Sequence, residues 1–268
     1  MDTQITIKEK SINSVKHHLH IYLSALLLLF SVSGFAFSAQ DSLLKAQEKY
    51  EQEAYNEAIQ TYESLIKEGY VSEDLYYNIA NAFFKNNQLA QAILYYERCL
   101  KQNPNHEDAL FNLNIANLQQ ADKLTVIPDF FIYTWINNLI SFFTSDSWAY
   151  LSIAFIILVF VGLYFYLFST SIKIKKTAFV LGIVFFIFFA ATAMFSYQLK
   201  TIQTSKNTAI IFRPSLVVKS TPKDNGTDLF VIHEGLKVKI EDEYTLWVKI
   251  ILSNGNEGWV KKTDIAII

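Results

Sequence analysis

Residues able to do chemistry are few in this chain, and their spacing fits no reaction. His106-Glu107-Asp108 opens like a zinc-protease helix, in which two histidines share one face with a glutamate base, but the second histidine is missing. His233 falls in a predicted hairpin with no evident partner. The single cysteine, Cys99, allows neither an intrachain disulfide nor a thiolate metal cluster. It occupies a helix-packing position, where a buried small hydrophobe is the ordinary outcome. Eight glycines are spread over turns and apolar runs, with no loop to cradle a phosphate. No carboxylate pair and no Ser/His/Asp arrangement stands out. The expectation is a non-enzyme with no catalytic residue, no metal and no cofactor. A net charge of -2 gives no basic balance for nucleic acid.

Two apolar runs, Leu151 to Phe168 and Thr177 to Leu199, dominate the elements that any site must sit on. Each has the roughly 20 apolar residues that a helix needs to cross a bilayer core of about 30 Å. A transmembrane hairpin is expected, with helices at 148–168 and 177–199 and a basic loop at 169–176. The rival, two buried helices of a soluble core, lacks enough other chain to enclose them. Lys173, Lys175 and Lys176 place the loop in the cytoplasm, so both flanking parts face outward. The runs hold no Asp, Glu, Lys, Arg or His, which argues against an ion path.

Residues 1–39 read as a signal peptide or an uncleaved N-terminal anchor. Lys8, Lys10 and Lys16 precede an apolar run from Ile21 to Phe37 and the small residues around Ala39. Either version exports the adjoining segment, in agreement with the lysine-based direction. The segment 41–122 is expected to form amphipathic helices in a repeat. Ala46, Tyr55, Ala58 and Tyr62 align with Ala80, Leu89, Ala92 and Tyr96 at the 34-residue period of tetratricopeptide repeats. The first copy departs from the pattern at Ser42 and Lys45, and a helix over Glu107 to Gln120 caps the stack.

The family implies a partner-binding groove on the inner helices of such a stack. Carried onto this chain, those positions are Tyr50, Tyr77, Asn81, Phe84, Lys85, Phe111 and Ile115. The alternative is that a short stack merely docks against its own chain or a neighbour. Lys85 is the only clear inward base, and the many glutamates read as a solvated face.

Residues 126–145 carry Phe131, Trp135, Leu139 and Phe142 at helical spacing with Asn137, Asn138 and Ser141 between them. An amphipathic helix in the outer membrane interface is expected, against a third span. From 205 to 268 short alternating strands and Gly-bearing turns give a small all-β barrel. Its order of Glu234-Gly235, Trp247-Val248 and Gly258-Trp259-Val260 resembles a bacterial SH3-like domain, whose members bind peptides or cell-wall material. Trp247 and Trp259 are groove candidates, or alternatively core.

The whole order is a multidomain membrane protein: helical repeats, interfacial stretch, two-helix hairpin and SH3-like barrel. Together with Asn103-Pro104-Asn105-His106-Glu107-Asp108-Ala109-Leu110-Phe111-Asn112-Leu113, it resembles the E-protein family of the Bacteroides aerotolerance operon. The resemblance implies a bacterial inner-membrane scaffold with periplasmic repeats and barrel. Implied partners are von Willebrand A-type membrane proteins and, indirectly, a MoxR-type ATPase, in tolerance of oxidative stress. Two other functions compete: a module that positions a hydrolase at peptidoglycan, and a redox sensor using Cys99.

Overall fold

The computed structural model describes residues 40–124 and 131–268. The targeting segment expected at 1–39 and the start of the interfacial stretch, 126–130, lie outside the described residues. The chain divides into two compact units, one up to Tyr70 and one from Val71 to Ile268.

In the first unit, helices α1 (40–51) and α2 (Tyr55–Lys67) are joined by a tight turn. Glu53 in that turn takes a φ of 60°, the left-handed region. Asn87 takes φ 58° at the equivalent position of the next repeat. The turn geometry therefore recurs with the sequence period, and asparagine suits it better than glutamate. Ala58 and Tyr62 are buried on α2. Burial pushes the Tyr62 hydroxyl up to about 12, with Tyr50 and Glu51 adding to it.

The second unit opens with α3 (Glu73–Lys85) and α4 (Leu89–Gln102), followed by α5 (Glu107–Leu118). Ser72 caps α3 by accepting from the Leu75 N–H at 3.1 Å, which satisfies one otherwise orphaned donor. Ala80 and Ala92 are fully buried, so α3 and α4 approach closely, and Phe83 stacks on Tyr95 at 5.4 Å. Cys99 lies in this packing, fully buried. Burial, followed by Glu73 and Asp74, pushes its thiol up to about 12.

Helix α6 (Phe131–Ile140) comes next, then α7 (Ser145–Phe168) and α8 (Ile172–Thr204). Both α7 and α8 are long and apolar enough to cross a membrane, and only 6% of each apolar window is buried. The body of the protein does not enclose them, unlike the helices of a soluble core. Three expected boundaries move, the start of α7 and both ends of α8. The loop at 169–176 shrinks to the three residues between Phe168 and Ile172, because Lys173, Lys175 and Lys176 continue α8 as good helix formers. The cap of α7 is Thr144, whose hydroxyl accepts from the Ser147 N–H at 3.3 Å, with Ser145 and Asp146 already inside the helix. At 33 residues α8 is about 50 Å long, so it outruns an apolar core of about 30 Å. Ser145 and Ser196 exchange hydroxyl-to-carbonyl bonds of 3.1 and 2.9 Å at the top of the pair. Trp148 Nε1 donates to the Ile140 carbonyl at 2.8 Å and ties α6 to the hairpin. Phe131, Trp135, Leu139 and Phe142 all stay exposed.

The C-terminal part is a seven-stranded antiparallel sheet: β1 (Thr208–Ile211), β2 (Ser215–Lys219), β3 (Asp228–His233), β4 (Lys237–Tyr244), β5 (Trp247–Ile251), β6 (Glu257–Lys261) and β7 (Ile265–Ile267). The order is β3-β2-β6-β5-β4-β1-β7, so the sheet is open, with β3 and β7 at its edges, where a closed barrel was expected. Val218, Ile232, Val248, Ile250 and Val260 form its core. Gly258 is obligatory: a Cβ there would stand 2.4 Å from Val218 Cγ1 and 2.9 Å from the Lys219 carbonyl oxygen. A one-turn 3-10 helix, Lys262–Asp264, precedes β7. Its buried Asp264 is held by Arg213 at 2.7 Å.

Candidate partner-binding groove

Helices α3 and α5 present neighbouring faces in the second unit, and polar and aromatic groups meet between them. The Asn81 Oδ1 accepts from the Tyr96 hydroxyl and, at 3.0 Å, from Asn112 Nδ2. Asn112 Nδ2 also lies 3.3 Å from the Tyr77 hydroxyl oxygen. The Tyr77 ring packs 4.8 Å from His106 and 6.3 Å from Tyr96. His106 is itself fixed, because its Nδ1 caps α5 by accepting from the Ala109 N–H at 3.2 Å. Side chains locked by second partners lose little rotamer freedom when something binds above them.

The expected groove residues are placed unevenly. Tyr77 and Asn81 converge on Asn112, while Phe84 follows one helical turn along α3, half-buried. Lys85 is exposed in the last turn of α3 and makes no ion pair among the described residues. On α5, Ile115 is half-buried and Phe111 stands 66% exposed. Tyr50 belongs to the first unit, where its ring meets Tyr55 edge-on at 5.4 Å. Asn112, which joins the two helices, was missed by sequence reasoning. Its one signal is that it follows Phe111 directly on the same capping helix.

Trp247 counts among the buried hydrophobic residues, as the core reading expects, although neither tryptophan belongs to the main core cluster of the sheet. Along β5, Val248 and Ile250 point into that cluster, so Trp247 and Lys249 point to the opposite face. Register puts Lys261 opposite Trp247, and Trp259 opposite both Lys249 and Lys219. The Lys261 ammonium sits 5.5 Å from the centre of the Trp247 ring. Trp247 is buried even so, and Trp259 half-buried.

A further set of residues joins α4 and the segment after α5 to the C-terminal part of the chain. Lys101 Nζ donates to the Ile268 carbonyl at 2.8 Å and to the Ser205 carbonyl. Arg98 Nη2 donates to the Ile267 carbonyl at 2.7 Å. Glu97 pairs with Lys237 at 2.7 Å, and Gln120 Nε2 donates to the Gly235 carbonyl at 2.9 Å. Asp122 accepts from the His233 backbone N–H at 2.6 Å, and its other oxygen meets His233 Nδ1 at 2.9 Å. His233, without an evident partner in sequence, thus has a close one across the fold. Burial lowers the Lys101 pKa, with Arg98 and Lys237 as further cationic neighbours. Glu97, Gln120, Asp122 and Lys237 border a cleft of about 760 Å³, while Arg98, Lys101 and Ile268 border a separate one of about 330 Å³. Gln203 Nε2 adds a bond to the Gln102 carbonyl at 3.0 Å, so α4 also meets the upper end of α8.

Residues 73–106, spanning α3, α4 and the turn into α5, match the family model of the tetratricopeptide repeat. A comparison with curated proteins gives no match. Repeats of this type serve protein–protein interaction, and this chain carries one matched copy beside two helices able to span a membrane.

Proposed function

We propose that the protein is a membrane-anchored scaffold whose repeats hold a partner protein against the outer face of a bacterial inner membrane. The observation that carries this is the matched repeat at 73–106, joined directly to the top of an apolar hairpin. Tyr77, Asn81 and Asn112 form the fixed floor of the groove, and Phe111 supplies the exposed apolar anchor. Lys173, Lys175 and Lys176 lie together at the closed end of the hairpin and favour a cytoplasmic position for it. Repeats and sheet then share the periplasmic side, with the exposed Phe131, Trp135 and Leu139 of α6, and Phe142 in the turn after it, dipping into the interface.

The sheet, open rather than closed into a barrel, serves as an SH3-like module, a reading supported by the order Glu234-Gly235, Trp247-Val248 and Gly258-Trp259-Val260. The protein does no chemistry of its own and takes no cofactor. Its partners are products of an aerotolerance operon, the von Willebrand A-type membrane proteins among them. The test replaces Tyr77 and Phe84 with Ala and compares co-purification from crosslinked native membranes. Loss of those partners, with the variant still in the membrane, supports the scaffold; unchanged recovery overturns the groove. One observation favours a second reading. Trp247 and Trp259 share the face of the sheet opposite its core, and both lie beside lysines. Such a face suits a cell-wall ligand, and retention of the full chain on purified sacculi, lost on Trp259→Ala, tests it.

A further inference from the structure

Two apolar grooves run along the hairpin, one on each side of a close approach between α7 and α8. Gly162 makes that approach: a Cβ added there would stand 3.3 Å from the Ala178 carbonyl oxygen and 3.6 Å from Gly182 Cα. One groove, of about 300 Å³, is bordered by Val159, Leu163, Tyr166, Phe179 and Phe186, and no charged group reaches it. The other, of about 470 Å³, is bordered by Leu158 and Phe165 of α7 and by Lys173, Thr177, Leu181 and Phe185 of α8. Only this second groove has a cation at its mouth.

Lys173 is exposed, and no carboxylate pairs with it among the described residues. The sole acidic residue between 145 and 204 is Asp146, at the far end of α7. The Thr177 hydroxyl is already turned back onto the Lys173 carbonyl at 3.1 Å. An occupant must therefore combine a long apolar body with an anionic head. Length agrees as well. From Lys173 to Phe185 the helix rises about 18 Å, close to the roughly 15 Å depth of one leaflet of a 30 Å core.

We propose that this groove binds one anionic phospholipid, its phosphate at Lys173 and an acyl chain along Leu158, Leu181 and Phe185. The inference rests on the hairpin spanning a membrane with its lysine end at headgroup level. Lys175 and Lys176 carry the same charge on the same turn but border neither groove. They contribute only the diffuse attraction of any basic end.

The test titrates the full chain, purified in detergent, with phosphatidylglycerol and with phosphatidylcholine of identical acyl chains, and counts bound lipid by native mass spectrometry. Phosphatidylglycerol is expected to bind about fivefold more tightly, the factor one lysine adds at an anionic surface. Lys173→Gln should abolish that preference, while Lys175→Gln and Lys176→Gln keep it. Leu181→Trp should fill the groove and weaken both lipids. Equal loss in all three lysine variants, or no preference in the parent chain, overturns the site. So does a chain that runs as a lipid-free dimer crosslinked through position 181, which would give the groove to a second copy. Alkaline carbonate extraction separates the two levels: release from membranes refutes the spanning hairpin, whereas retention without lipid preference refutes this site alone.

Discussion

Replacing Gly258 with Ala tests the packing of the sheet at its tightest point. The new Cβ would lie 2.4 Å from Val218 Cγ1, 2.9 Å from the Lys219 carbonyl oxygen and 3.2 Å from Leu229 Cδ1. Leu229 is half-exposed and can swing away. Val218 is fully buried, and Lys219 is paired in register with Trp259, so neither yields without moving a strand. Overpacking of this kind costs about 1–3 kcal/mol, and two immobile neighbours put it at the upper end. For a unit the size of this sheet, about 3 kcal/mol lowers the melting temperature by roughly 10–20 °C. Thermal melts of the full chain in detergent, followed by the β-sheet circular dichroism signal, measure it. A double-mutant cycle with Val218→Ala should then show a favourable coupling, because that change removes the closer of the two clashes. A loss below about 0.5 kcal/mol, the range of inert surface substitutions, would refute the close approach.

Three further substitutions probe other parts of the fold. Thr245 holds φ 51° in the turn between β4 and β5, a costly conformation for a β-branched residue. Thr245→Gly should therefore raise stability by about 1 kcal/mol in a melt. The Cys99 thiol has its pKa raised from 9.0 to about 12 in the folded chain, so the native state keeps a proton that the unfolded chain loses. Its stabilising contribution is full below pH 9 and disappears as pH rises toward 12, and Cys99→Ala should flatten that slope in alkaline titrations. Asn81→Leu removes the acceptor shared by Tyr96 and Asn112 and should cost about 1–3 kcal/mol, read by chemical denaturation.

Local signals were legible wherever a short period carried them. The 34-residue spacing found both helical pairs, and the repeated left-handed turn at Glu53 and Asn87 is its backbone counterpart. Alternation found the strands, although β4 extends to Tyr244, past the point where its apolar residues stop. The link at 169–176 was misread because three lysines resemble a loop in composition, while lysine is a good helix former and simply extends α8. Contacts between distant elements left no sequence trace. Asp122 meets His233, Glu97 meets Lys237 and Lys101 meets the Ile268 carbonyl across more than a hundred residues. None of these pairs has a spacing that a periodic pattern can reveal. The open order of the sheet is likewise set by pairing among strands, which alternation leaves undefined.

The proposed scaffold requires the face formed by α3 and α5 to hold a partner protein on the outer side of the membrane. Site-specific photo-crosslinking at Phe111 in living cells tests it most directly, because this side chain is exposed beside the fixed Asn81–Asn112 pair. One discrete adduct to a membrane or periplasmic protein is predicted, lost when Tyr77 is changed to Ala and absent when the photoreactive group is moved to the exposed Tyr244 on the sheet. Adducts to cytoplasmic proteins, or an identical pattern from Phe111 and Tyr244, would contradict it.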